Sequence, residues 1–150
     1  MRVLIAAAAM LAGASPAWAQ NCPKPQDWTK PERHLAARVP EMKFALKPGG
    51  TVQIGLLPQE QVRFAAGKAT RKGYAGLAAI DVPRAGTLQV AVDNKTYVDL
   101  VRAGKPLALA GEPKTKGCTG VQKILEFKVA PGRYLVQLSG SPDKTVRIAT

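Results

Sequence analysis

One pattern occurs three times in this 150-residue chain and limits the folds that it can adopt. Apolar residues occupy every second position, a corner containing Pro or Gly follows, and the alternation then resumes. Such alternation is typical of a β-strand with one buried face. Proline fixes φ and glycine tolerates positive φ, so the chain turns between the two runs. The three copies are MKFALKPGGTVQIGLL (42–57), AAIDVPRAGTLQVAVD (78–93) and EFKVAPGRYLVQLSG (126–140).

The alternation also predicts which side chains face the core. Leu135 and Gln137 belong to the outward phase of the third copy. Because Leu135 is apolar, we expect a neighbouring segment, the Pro-rich N-terminal arm, to cover it. The residues expected to face inward are Leu88, Val90, Val136 and Leu138.

Further short runs fit the same architecture. Regularly spaced strands separated by Gly/Pro corners indicate an all-β domain over residues 42–150, an antiparallel β-sandwich or jelly roll of about eight or nine strands. Outside the three copies, the strand candidates are Gln61–Ala66, Thr96–Val101, Pro106–Ala110 and Thr145–Ala149.

The segment before this domain, residues 20–41, is predicted to be a Pro-rich arm with one short helix. Thr29 is a suitable N-cap, Pro31 suits a first helical turn, and Glu32 completes a capping box. We expect the helix to run through RHLAAR and to end at Pro40.

Residues 1–19 have the three parts of a secretory signal peptide. Arg2 gives a basic start, an apolar run follows, and Ala-Trp-Ala at 17–19 forms a cleavage site before Gln20. An uncleaved anchor helix is the alternative, but the apolar run is shorter than the roughly 20 residues that span a bilayer. We therefore expect a cleaved bacterial protein without a membrane span, located in the periplasm or secreted.

The mature chain keeps two cysteines, Cys22 and Cys118. An even pair in an oxidising compartment predicts one disulfide. A loop this long would stabilise the fold by about 4–5 kcal/mol in the chain-entropy model. A metal site or a catalytic thiol pair is the alternative, but His34 is the only histidine and no Cys-x-x-Cys occurs.

From Gln61 onward the chain resembles a known family. The motifs VPRAGTLQVAV, YVDLVRAGKPL, VAPGRYLVQLSG and KTVRIAT follow one another in an order similar to that of bacterial pre-peptidase C-terminal domains. This resemblance implies a β-sandwich that serves as an accessory or binding module. Such domains often carry acidic calcium-binding loops, whereas the acidic residues here are scattered and flanked by lysine, so we predict no calcium site.

Charge is the strongest anomaly in the sequence. The mature chain keeps 21 of the 22 Lys and Arg residues against 10 Asp and Glu, a net charge of +11. A positive field attracts anionic partners, so an anionic envelope component, an acidic glycan or an acidic protein is the expected partner, unless the charge only maintains solubility. Without interleaved aromatic and basic residues we expect no nucleic-acid binding. The anion-binding candidates lie in two loops and are Lys68, Arg71, Lys72, Lys114 and Lys116.

The constellations that catalysis requires are missing from the sequence. It has no nucleophile with an adjacent base and no closely spaced carboxylate pair, so we expect neither an enzyme nor a cofactor. Trp28 and Tyr74 are the exposed-aromatic candidates, with burial as the alternative for each. Besides a binding module, two functional classes remain: a structural or chaperone-like subunit that uses sheet edges, and an inhibitor of a secreted hydrolase.

Overall fold

Two β-sheets pack face to face in the computed structural model, which describes residues 30–40, 45–69 and 71–150. Sheet A has the strand order β1-β3-β11-β6-β9, and sheet B has the order β2-β5-β10-β7-β8, with β4 also paired to β5. This confirms the predicted all-β sandwich. The strands are β1 (Glu32–Leu35), β2 (Ala45–Leu46), β3 (Thr51–Gly55), β4 (Leu57–Pro58), β5 (Tyr74–Val82), β6 (Gly86–Val92), β7 (Tyr97–Arg102), β8 (Lys105–Pro106), β9 (Lys123–Val129), β10 (Gly132–Ser141) and β11 (Thr145–Ala149).

The strand count and pairing differ from the prediction in detail. The described residues form eleven strands, three of which have only two residues. The sheets are mixed, because β1 runs parallel to β3 and β2 runs parallel to β5. Alternation of apolar residues reports burial on one face and does not report strand direction, so these parallel pairings had no signal in the sequence.

The three repeated copies share one structural role. In each copy the corner carries the chain from one sheet to the other, because β2, β5 and β10 belong to sheet B while β3, β6 and β9 belong to sheet A. The second and third corners lie side by side: Gly86 pairs with Val129 in sheet A, and Gly132 pairs with Val82 in sheet B. Pro48 of the first corner lines a cavity with residues of both. We call this end of the sandwich the corner end.

The predicted inward positions are confirmed. Val90, Val136 and Leu138 are completely buried, Leu88 is nearly so, and all four belong to the main core between the sheets. The outward-facing side of the third copy is covered as well. Leu135 is half-buried and lines a cavity together with Pro40, at the end of the arm for which such a contact was predicted.

The predicted arm helix is wrong. Glu32–Leu35 form the edge strand β1 beside β3. The Ala36 N–H then donates to Gly55 O in sheet A, and the Ala37 N–H donates to Leu77 O in sheet B. Short isolated helices are marginal, whereas here an open sheet edge supplies backbone partners for an extended chain. Gly76 permits this approach, because a Cβ there would lie 2.2 Å from the Ala36 Cβ.

The predicted strand Gln61–Ala66 is also wrong. A single 3₁₀ turn at Gln59–Gln61 leads into an irregular segment that lies on the outer face of sheet B. Its alternating residues Val62 and Phe64 pack against that sheet, so the periodicity reported a buried face correctly. A side chain, and not a neighbouring strand, accepts hydrogen bonds from the backbone of this segment. Gln137 Oε1 accepts from the N–H groups of Ala65 and Ala66, at 2.8 and 3.2 Å.

The remaining strand candidates have mixed outcomes. Thr145–Ala149 is strand β11, and Thr96–Val101 corresponds to β7 shifted by one residue. Of Pro106–Ala110 only Pro106 lies in a strand. Beyond it the chain crosses toward sheet A, where the Ala110 N–H donates to Glu126 O at 2.8 Å. Several predicted features lie outside the described residues: the signal peptide, Cys22, Trp28 and Thr29.

Candidate functional site

The end of the sandwich opposite the corners collects most of the predicted anion-binding residues. The β6–β7 loop (93–96) and the β10–β11 loop (142–144) cross between the sheets there, and residues 67–69 and 71–73 lie beside them. We call this the basic end. Arg71 connects its own segment to β10 and to the β6–β7 loop, because its Nε donates to Gly140 O at 3.1 Å and its Nη2 donates to Lys95 O.

Gln59 completes this connection from the other side. Its Nε2 donates to Arg71 O and its Oε1 accepts from the Gly140 N–H, both at 2.7 Å. Gly140 lies at the irregularity in β10 between Leu138 and Ser141 and has a φ of +58°. A glycine is favoured there for two reasons: the positive φ, and the Arg71 and Tyr97 atoms that lie within 3.1–3.3 Å of the position that a Cβ would occupy.

A second polar cluster ties the two crossing loops together. Asn94 Nδ2 donates to Asp143 Oδ2 at 3.2 Å and to Thr145 O at 3.3 Å. The Thr96 N–H donates to Asn94 Oδ1 at 3.0 Å, and both Thr96 and Ser141 are completely buried. These bonds satisfy buried polar groups and hold the loops in register.

Tyr97 is the centre of the basic cluster. The Arg71 guanidinium carbon lies 4.5 Å from the ring centroid, and the Lys123 Nζ lies 5.2 Å from it. Both distances fall within the range of cation–π contacts. The tyrosine nevertheless remains 43% exposed. An aromatic ring thus holds two cations at the protein surface.

A groove of about 570 Å³ opens beside Tyr97. It lies between the β7 edge of sheet B and β9 of sheet A, and residues 106–112 line its far side. Lys68 and Lys123 contribute cations to its lining, while Asp99 and Glu112 contribute carboxylates. The apolar part of the lining consists of Val98, Pro106, Leu107, Leu109, Leu125 and Phe127.

Burial shifts the pKa of two groups in this groove. It lowers the pKa of Lys123, and the positive charge of Arg71 acts in the same direction, while Glu112 and Asp99 oppose both. Burial raises the pKa of Asp99, against a hydrogen bond from Gln137 and the charge of Lys123. Desolvation therefore outweighs charge pairing for both groups.

The predicted anion-binding residues are distributed unevenly over this end. Lys68 lines the groove, Arg71 stacks on Tyr97, and Lys72 is exposed next to Arg71. Lys114 and Lys116 are exposed on the second loop, whose Glu112 lines the same groove as Lys68. Within the described residues, the close cluster around Tyr97 is therefore built by the first loop and by Lys123.

Three contributors to the site were absent from the sequence prediction. Lys95 lies in the β6–β7 loop, Tyr97 begins β7, and Lys123 begins β9. No local pattern distinguishes Lys123 from other basic residues. For Lys95 and Tyr97 the sequence contains one signal, since Asn94-Lys95-Thr96-Tyr97 places a basic residue and an aromatic residue at a turn between two strands.

The structure gives less information about the other candidates. Tyr74 begins β5, is half-buried, and packs against the main core, which favours the burial alternative over an exposed aromatic site. Cys118 is buried against Ala91, Ile124 and Ala149 on the outer face of sheet A. The described residues contain no free cysteine. Pairing with Cys22 stays a prediction.

Two kinds of feature are absent from the part of the chain that the structure describes. Within it, no helix has the length and apolar character needed to cross a membrane. The same ranges contain no group of three or more His, Cys, Asp or Glu residues placed to hold a metal ion.

Comparison with known proteins gives a structural likeness alone. No protein-family model matches the chain, and no curated protein matches it significantly. Among solved structures, the chain is similar to the pre-peptidase C-terminal domain of collagenase from Bacillus anthracis, with 13% identity, a TM-score of 0.43, and coverage of 73% of this chain and 93% of that domain. This agrees with the resemblance found in the sequence motifs.

A second similar structure is a β-glucosidase from Paenibacillus barengoltzii. It has 14% identity and a TM-score of 0.34, and the match covers 79% of this chain but 13% of the glucosidase. At these values neither likeness carries information about function.

Proposed function

We propose that this protein is a small exported, non-catalytic binding module whose basic end engages an anionic envelope component, an acidic glycan or an acidic protein. The observation that supports this proposal is the convergence of Arg71 and Lys123 on the exposed ring of Tyr97, beside a groove that Lys68 also lines. Cations held at fixed positions next to a concave surface are better placed for binding than cations scattered over a face.

The roles within the cluster differ. Two of the five N–H donors of Arg71, on Nε and Nη2, already bond Gly140 O and Lys95 O. These two nitrogens are the pair that would bind an oxyanion side-on through two parallel hydrogen bonds. In this proposal Arg71 therefore holds no ligand with that pair of donors; it positions the segments that it bonds and adds positive charge. Direct contact falls to the less constrained ammonium groups of Lys68, Lys72 and Lys123.

The experiment measures binding of the mature chain to four anionic probes: lipopolysaccharide, phosphatidylglycerol vesicles, heparin and polyglutamate. A double variant, Lys68→Ser with Lys72→Ser, removes two charges from the basic end. The control, Arg84→Ser with Lys105→Ser, removes two exposed charges from the corner end and leaves the same net charge.

We expect the basic-end variant to bind at least one probe severalfold more weakly, while the control binds it nearly as well as the wild type. Binding should also fall as ionic strength rises past 0.15 M, where the Debye length is about 8 Å. Equal losses in both variants would show that net charge alone is responsible. Failure of all four probes to bind would reject the proposed function.

A further inference from the structure

On the edge of β7 that faces β8, the backbone hydrogen bonds to the neighbouring segment end inside the groove. On that side β7 pairs with β8 at Arg102 and Val101, and the Leu107 N–H donates to Leu100 O at 2.7 Å. Backbone groups that point to the same side of a strand recur at every second residue, so the next pair belongs to Val98. Within the described residues no hydrogen bond from a neighbouring segment reaches that side of Val98, which lines the groove.

The same groove concentrates exposed apolar side chains. The described residues contain three large hydrophobic side chains that are exposed, namely Leu35, Tyr97 and Leu109. Two of these, Tyr97 at 43% and Leu109 at 47% exposure, line the groove. Half-buried Leu107 continues this apolar surface down to the main core. A ligand with an apolar side chain would find a complementary surface here.

The polar lining distinguishes between classes of ligand. Lys68 and Lys123 attract anionic groups, but Asp99 and Glu112 line the same groove and would repel a phosphate group or an uninterrupted polyanion. An extended peptide carries backbone N–H donors that carboxylates and a free strand edge accept. Among the expected partners, an acidic protein offers carboxylates, apolar side chains and regularly spaced backbone N–H donors together at short spacing.

From this combination we propose that the groove binds an extended acidic peptide segment of a partner protein. Its backbone pairs with Val98 as an added strand, one apolar side chain rests on Leu109 and Tyr97, and its carboxylates reach Lys68 and Lys123. The inference rests on the proposed function and narrows the anionic partner to an acidic protein.

The test selects a displayed library of random dodecapeptides on the mature chain. Peptides that are enriched should combine Asp or Glu with a large apolar residue at alternating positions. Binding of such a peptide should fall about 5-fold or more in a Leu109→Ser variant, since the apolar contact is lost. The matched control is Leu35→Ser, which changes the third exposed apolar residue, 85% exposed on β1 and away from the groove.

Two further measurements locate the bound peptide. Amide hydrogen exchange at Val98 should slow when the peptide is bound, because strand addition engages that N–H. Lys123→Gln should weaken binding of the acidic peptide more than binding of its Asn/Gln counterpart.

Several results would overturn this proposal while leaving the proposed function in place. One is polyglutamate or heparin binding that depends on Lys68 and Lys72, with no peptide whose binding depends on Leu109. Another is phosphatidylglycerol binding without any peptide enrichment, which would assign the basic end to lipid. A peptide that binds without slowing exchange at Val98 would exclude strand addition.

Discussion

The two ends of the sandwich are closed by different kinds of interaction. At the corner end the chain turns within a few residues, and the Tyr134 hydroxyl secures the third corner by accepting from the Ala130 N–H at 2.9 Å and donating to Ala130 O at 3.1 Å. These partners are four residues apart. At the basic end Gln59 and Arg71, which are 12 residues apart and bonded to each other, bond Gly140 across 81 and 69 residues of sequence.

This difference relates local chemistry to function. Local turns are encoded by the residues within them, and the corner end accordingly consists of Pro and Gly at the expected positions. Contacts between distant segments occur at both ends, since the Thr150 hydroxyl donates to Lys47 O in the first corner, but those of the basic end orient cationic side chains over a groove. We infer that the corner end serves mainly to close the fold and that the basic end is the part of the molecule adapted for binding. The following predictions test that division.

The largest effect is expected from an added methyl group at Gly73. This residue has a φ of +146°, and a Cβ there would lie 2.3 Å from Ser141 O, a backbone atom of the neighbouring strand. Gly73→Ala should therefore cost about 3 kcal/mol or more of unfolding free energy, measured by urea denaturation. At the corner end, Gly104→Ala meets only the cost of its φ of +73°, about 1–2 kcal/mol, because no atom lies within 4 Å. Equal costs at the two positions would contradict the tight packing described for the basic end.

An intermediate effect is expected at Arg71. Arg71 is exposed, and exposed charges usually contribute little to stability. Because Arg71 donates to the carbonyls of Gly140 and Lys95, and Gly140 is buried, we nevertheless expect Arg71→Ser to cost about 1–3 kcal/mol.

The control for this variant is Arg133→Ser at the corner end. Arg133 is paired with Asp81 on an exposed face, at 2.7 and 2.9 Å, and such pairs contribute little to stability. Thermal denaturation should thus show a clear decrease for Arg71→Ser and almost none for Arg133→Ser. The reverse order would reject the positioning role of Arg71.

The smallest effect concerns two aspartates with opposite pKa shifts. Burial raises the pKa of Asp99 from its ordinary value of 3.8 at the basic end, whereas the hydrogen bond from Arg133 lowers the pKa of Asp81 at the corner end. The folded state therefore binds a proton at Asp99 more readily than the unfolded state does. Its contribution to stability is present at acidic pH and is lost as the pH rises through the raised pKa.

For Asp81 the sign is reversed, and the contribution is lost as the pH falls below 3.8. At pH 7 we expect Asp99→Asn to stabilise the protein slightly, by no more than about 0.5 kcal/mol, and Asp81→Asn to have no such benefit. Melting temperatures recorded between pH 3 and pH 7 would check both signs. A loss of stability in Asp99→Asn at pH 7 would show that its pairing with Lys123 outweighs its desolvation.

Sequence periodicity predicted part of this arrangement and misread another part, for a common reason. It correctly indicated a buried face for Val62 and Phe64, but that segment bonds to the side chain of Gln137 and joins no strand. It could not show that Glu32–Leu35 extends a sheet edge, because the capping signals around Thr29 and Glu32 favour a helix in isolation. In both cases a distant part of the chain supplied the backbone partners.

The candidate site shows the same limit. Lys68 and Arg71 were identified because basic residues crowd one loop, a property visible in a few consecutive letters. Lys123 and Tyr97 were not identified, because neither stands out within its own segment. They become part of the site because Arg71 and Lys123 both contact the ring of Tyr97.

The sequence alone determined the β-sandwich class, the positions of the corners and the residues of the core. These depend on turn chemistry and on the two-residue period of a strand, which act over a few residues. Only the tertiary structure decided that all three corners cross between sheets, that β1 and β2 pair in parallel with β3 and β5, and that Arg71 and Lys123 converge on Tyr97. The physical reason is that strand pairing and side-chain contacts join residues up to 103 positions apart in the sequence, and the partner of each segment is selected by the whole folded chain.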